Sequence, residues 1–151
     1  MEYSNLRHRA ADMRKSLFDQ GYLDEQFYQL EELQDEVSPN FVEEVVTLFF
    51  RDSARLISNI EQTLDKCPQD FVKLDAYVHQ LKDSSSSIGA SRVKNACTLC
   101  REYCDEKNLE GCLKLFHKLK REHAVLRQKL GSYFQLLRQV GPMEIATRPS
   151  M

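Results

Sequence analysis

The chain is poor in residues that interrupt helices. Of its 151 residues only 5 are glycine and 4 are proline, and most of them stand between apolar segments as punctuation. No run alternates apolar and polar residues for long, which argues against half-buried strands. No stretch approaches the about 20 apolar residues that a membrane-spanning helix needs. The first residues, M-E-Y-S-N-L-R-H-R-A-A-D, are mixed and charged and hold no apolar signal core, so a soluble, intracellular protein is expected. There is no basic run, and the net charge is −2; both speak against nonspecific binding to nucleic acid or an anionic membrane surface. An even set of cysteines is also missing. The chain has 5, which suits a reducing compartment better than a disulfide framework. Internal repeats and low-complexity tracts are absent too.

What is present is an ordinary globular share of hydrophobic residues, 42%, recurring at spacings of three and four. That pattern predicts an all-α fold. The expected helices run from Ser4 to Gln20, stopping at Gly21, and from Asp24 to Val37, carrying Phe27, Leu30 and Leu33 and ended by Ser38-Pro39. A third opens at Asn40, where Glu43 three residues on resembles a capping box, and fades near Cys67-Pro68. A fourth starts near Asp70. Its Phe71, Leu74, Val78, Leu81, Ser85 and Ile88 form a heptad seam before Gly89. A fifth opens at Ser91, and a sixth near Asn108 is long enough to exceed about 40 Å at 1.5 Å per residue. Helices three to six predict a four-helix bundle with two additional N-terminal helices. Residues 1–140 read as a single domain and 141–151 as a frayed C-terminal tail.

The fourth helix carries the most informative stretch, V-H-Q-L-K-D-S-S-S-S-I-G-A, from Val78 to Ala90. Advancing about 100° per residue puts His79 roughly 130° from the seam and Lys82 about 70° from it, with Asp83 nearly opposite the core. His79, Lys82, Asp83 and Ser86 therefore share one exposed or half-exposed strip. Periodicity alone leaves two readings. One is a solvated helix face. The other is a phosphoryl site, in which a neutral imidazole supplies a nucleophilic nitrogen and Lys82, at i+3, supplies a point charge for the phosphoryl oxygens.

The motif H-Q-L-K-x-S-S-S-S-I-G-A resembles the signature of plant-type histidine-containing phosphotransfer proteins. The resemblance extends through F-Y-Q-L-E-E-L-Q-D-E (Phe27–Glu36), P-N-F-V-E-E-V-V-T-L-F-F-R-D-S (Pro39–Ser53), S-R-V-K-N-A-C (Ser91–Cys97) and E-K-N-L-E-G-C (Glu106–Cys112). It implies a bundle that accepts a phosphoryl group from the receiver domain of a hybrid histidine kinase and passes it to a response regulator, without independent catalytic activity and without a cofactor. In plants it implies cytokinin signalling and a carrier moving between cytosol and nucleus; a monomer is expected. By position, His79 matches the phosphoacceptor, Lys82 the supporting lysine, and Gln80 and the serines from Ser84 the flanking motif. Arg101 matches a basic residue on the neighbouring helix. Gln80, Asp83, Ser86 and Arg101 form the expected receiver-docking surface. Asp83 departs from the pattern, which has glycine there. A carboxylate one turn after the histidine adds bulk and negative charge. It keeps alive an alternative from a different class, a receiver-binding competitor that transfers phosphate poorly. Cys100 departs as well, standing where phenylalanine is common, and reads as a change in core packing.

Cys97, Cys100 and Cys104 form C-x-x-C-x-x-x-C, a spacing that zinc or an iron–sulfur cluster can use. At helical spacing all three fall on the seam, so buried packing is the preferred reading and no metal site is expected. His123 falls on the seam of the sixth helix and reads as a hydrogen-bonded core or boundary residue rather than a ligand. His8 and His117 have no ligand pattern around them. Phe18, Phe27 and Leu30 suit either the core or a docking patch.

Overall fold

A computed structural model describes residues 2–141; the rest of the expected tail lies outside the described residues. Six helices follow one another: α1 (Glu2–Asp19), α2 (Glu25–Glu32), α3 (Phe41–Lys66), α4 (Phe71–Ile88), α5 (Ser91–Asp105) and α6 (Leu109–Val140). The last four form an antiparallel bundle, α3 beside α4, α4 beside α5, α5 beside α6, and α6 back against α3. α1 packs on α6 and α2 on α4.

The heptad seam of α4 is the inner face of this bundle. Leu74, Val78, Leu81, Ser85 and Ile88 are buried, and each fully buried aliphatic side chain contributes about 1.5–3 kcal/mol. Asp70 caps the helix by accepting from the Lys73 N–H at 3.0 Å, one of the donors a helix start leaves unpaired. Gly89 ends it at φ +77°, a left-handed conformation that favours glycine. The position also lacks room: a Cβ there would lie 2.6 Å from the backbone nitrogen of Phe27. The Gly89 carbonyl accepts from the Asp24 N–H at 3.0 Å. The I-G-A that closes the motif is thus the joint where α4 meets α2, and it fixes the C-terminal end of the helix that carries His79.

α2 is held from its other side by α1. The Arg14 guanidinium donates to both carboxylate oxygens of the buried Glu31, at 3.0 and 2.6 Å. Phe18 meets Phe27 edge-on at 6.1 Å, and Phe27 is fully buried, so these aromatics serve the core. At the α5–α6 turn, Asn108 accepts from the Gly111 N–H at 3.0 Å, and Gly111 leaves space for the Tyr103 ring, which a Cβ would meet at 2.2 Å.

Two expectations need correction. α2 ends at Glu32 rather than Val37. Asp35 accepts from the N–H groups of Val37 and Ser38 at 3.0 and 2.9 Å, a local turn that competes with the helix, and Leu33 is exposed rather than on the buried face. Nor does Asn40 cap α3 with its side chain. The Gln34 side chain takes that role, accepting from the Val42 N–H at 3.0 Å, while Glu43 pairs with Arg138 of α6.

Candidate functional site

Because the seam of α4 is buried, the opposite strip of the helix faces outward. His79 and Gln80 are exposed there, Lys82 and Ser86 are half-buried on its flanks, and Asp83 is exposed. The side chain of His79 retains 50% of its accessible surface, enough for a partner to reach the ring. Two of the serines that follow are turned onto the helix itself: Ser85 Oγ donates to the Leu81 carbonyl and Ser87 Oγ to the Ser84 carbonyl, each at 2.7 Å.

The neighbouring helix supplies the rest. Arg101 of α5 donates from Nε to Asp75 Oδ1 at 2.9 Å and from Nη2 to Asp75 Oδ2 at 3.4 Å. That hydrogen bond raises the guanidinium's pKa, and the charge of Asp83 adds to the effect. The charge of half-buried Lys82 acts on the buried Cys97 thiol of α5, opposing the rise that burial causes there. His79 therefore lies between two carboxylates, Asp75 one turn before it and Asp83 one turn after it. Two cations, Lys82 and Arg101, line the flank toward α5. Asp83 Oδ2 stands 3.4 Å from His79 Nε2, an i,i+4 contact of the kind helix geometry brings together. All the residues assigned from the sequence fall on or beside this strip. Asp75 was missing from that set, although its i−4 spacing from His79 is the same signal that picked out Asp83.

This strip is the outward face of one helix, exposed at His79, Gln80 and Asp83. It can present an imidazole and neutralise charge beside it. Among the described residues no group of three or more His, Cys, Asp or Glu side chains is arranged to hold a metal ion. Cys97, Cys100, Cys104 and Cys112 are buried, and the Cys104 and Cys112 sulfurs lie 3.8 Å apart. Burial pushes the Cys97 and Cys112 thiols up to about 12. Hydrogen bonding to Cys100, followed by burial, raises Cys104. With raised pKa values and buried sulfurs, Cys97, Cys104 and Cys112 are poor nucleophiles and poor ligands. His123 is buried too, with Nε2 2.7 Å from Ser53 Oγ and the rings of Phe49 and Phe50 against it.

Comparison with known proteins decides the family. The Hpt domain model matches residues 44–129, which span nearly all of α3 through most of α6 and include His79. The chain belongs to the histidine-containing phosphotransfer family. It is 65% identical over 150 residues to pseudo histidine-containing phosphotransfer protein 5 of Oryza sativa subsp. japonica, covering 99% of each chain. It is 63% identical over 116 residues to histidine-containing phosphotransfer protein 4 of Arabidopsis thaliana, covering 77% of this chain and 91% of that one. The crystal structure of a histidine-containing phosphotransfer protein from maize superposes with a TM-score of 0.84 at 45% identity, over 89% of this chain and 99% of that chain. The plant phosphotransfer resemblance and the helical-bundle fold both stand. This histidine-containing phosphotransfer protein carries a histidine at an exposed position of α4 and a carboxylate in contact with it.

Proposed function

We propose that this protein is a phosphorelay carrier in which His79 accepts a phosphoryl group from the receiver domain of a hybrid histidine kinase and passes it to a response regulator. The supporting observation is the half-exposed imidazole of His79 on the outward face of α4, with Lys82 one turn on, in a chain of this family. The receiver brings an aspartyl phosphate and its own acidic pocket. The imidazole lone pair attacks phosphorus, the bond to the receiver's aspartate breaks, and the electron pair returns to that carboxylate. Positioning and charge neutralisation are what such a transfer asks of the protein. Lys82 supplies a charge beside the phosphoryl oxygens, and Gln80, Ser86 and Arg101 belong to the surface the receiver covers. In this reading the protein has no catalytic activity of its own, acts as a monomer of one domain in cytokinin signalling, and works in cytosol and nucleus.

The contact between Asp83 and His79 favours a second reading, a protein that occupies receivers and transfers slowly. A tenfold rate loss corresponds to only about 1.4 kcal/mol, well within reach of a misplaced carboxylate, although screening limits its charge at an exposed site. Incubation with a phosphorylated receiver domain tests the first reading. The protein should acquire an acid-labile label, and His79→Gln should lose it with unchanged helical circular dichroism; a label retained by His79→Gln would sink the assignment. Slow labelling combined with tight receiver binding would identify the competitor.

A further inference from the structure

We infer that the Asp83 carboxylate holds a proton on Nε2 of His79 and so withholds that nitrogen's lone pair from an incoming phosphoryl group. The inference deepens the reading of His79 as phosphoacceptor and rests on it for its consequence. Its starting point is the 3.4 Å contact between Asp83 Oδ2 and His79 Nε2, made by side chains that are 68% and 50% exposed. Water reaches both groups, so burial does not force them together; the i,i+4 register of α4 does.

A neutral imidazole carries one N–H and one lone pair, and the partner of one ring nitrogen decides which it holds. An ionised carboxylate can only accept. The negative charge of Asp83, 3.4 Å from Nε2, favours the tautomer with the proton there. The lone pair then sits on Nδ1, the ring nitrogen nearer the backbone and less open to a docking receiver. The other charged groups around the ring do not oppose this choice. Asp75, one turn earlier, is engaged by Arg101, and among the described residues the ion-pair partner of the ring is Asp83, not Lys82.

The consequence for transfer follows from where protons and electron pairs must go. For a nitrogen–phosphorus bond to form at Nε2, its proton must first leave to water while Nδ1 takes one up. Only then can the Nε2 pair attack phosphorus as the phosphorus–oxygen bond to the receiver's aspartate breaks. Asp83 stabilises the wrong starting tautomer. It also stands where the phosphoryl oxygens would lie, so it must turn away before they arrive. Asp83 is thus a positioning residue that lowers the acceptor competence of His79.

The test reads the tautomer without phosphate. In the full chain with 15N-labelled histidine at about pH 8, above the ordinary imidazole range, long-range proton–nitrogen correlations show which nitrogen of His79 carries hydrogen. Asp83→Ala should raise the fraction protonated at Nδ1 several-fold, and Asp83→Asn, whose amide oxygen still accepts, should lie between. With a phosphorylated receiver, Asp83→Ala should label several-fold faster than the unaltered protein. An identical tautomer ratio in the unaltered protein and Asp83→Ala overturns the inference, and so does a shifted ratio with equal transfer rates. A shifted ratio with no label on either protein upholds the Asp83–His79 contact and instead refutes His79 as the acceptor.

Discussion

The buried Ser53–His123 pair gives the stability of this bundle a specific pH signature. Burial, with a smaller contribution from the charge of Arg127, pushes the imidazole from its ordinary 6.5 down to about 4. Above pH 6.5 the ring is neutral in both the folded and unfolded chains and contributes no pH dependence. Between about 6.5 and 4 the unfolded chain binds a proton that the folded chain refuses, so stability falls as pH falls. At 1.36 kcal/mol per pKa unit, the full interval amounts to about 3 kcal/mol, a large share of the 5–15 kcal/mol or so that holds an ordinary domain together. Urea unfolding across pH 7.5 to 4.5 measures this, with His123→Leu as the comparison. At neutral pH the variant should lose about 1 kcal/mol with the Ser53 hydrogen bond. Below pH 6 the two curves should converge and then cross, because the variant has no buried imidazole to protonate. Carboxylate titrations are common to both proteins and cancel in the difference. Parallel pH profiles for the two proteins would refute the reasoning.

Glycine substitution tests the α5–α6 packing. Gly111→Ala drives a Cβ into the Tyr103 ring and should destabilise the protein by about 1–3 kcal/mol. Gly131→Ala, in open space on the same helix, should stabilise it by about 0.5–1 kcal/mol; denaturant midpoints read both. Thiol accessibility tests the seam. Cys67 is exposed and the other four cysteines are buried, so an aromatic disulfide reagent should modify one thiol rapidly in the folded protein and all five after unfolding. Fast reaction of a second thiol would contradict the burial of the other four.

The parts of this structure that follow from one-sided burial were readable from spacing alone. The α4 seam predicted which residues are buried and, by difference, that His79 and Asp83 face outward. The same periodicity placed His123 inside α6 and the cysteines inside α5. What spacing does not carry is the identity of tertiary partners. Ser53 lies 70 residues from His123, and Arg101 lies 26 from Asp75; only the packing of α3 on α6 and of α4 on α5 makes those pairs. The end of α2 is obscured for a local reason. Leu33 and Val37 continue an apolar pattern, but Asp35 hydrogen-bonds the backbone just beyond Glu32, and a turn replaces the helix. The cap of α3 comes from Gln34, eight residues before the N–H it accepts from, where a capping box at Asn40 and Glu43 is the local expectation. The charged surroundings of His79 are half legible: the motif marks Asp83 and not Asp75.

Site mapping of the phosphoryl group tests the assignment of His79 most directly. The full chain is exposed to a phosphorylated receiver domain, digested at neutral to alkaline pH to preserve phosphoimidazole, and sequenced by mass spectrometry. A single phosphoryl group on His79, within the peptide that carries α4, is the expected result. A phosphoryl group on any other residue, or none after the receiver has been shown to phosphorylate another member of the family, would contradict it.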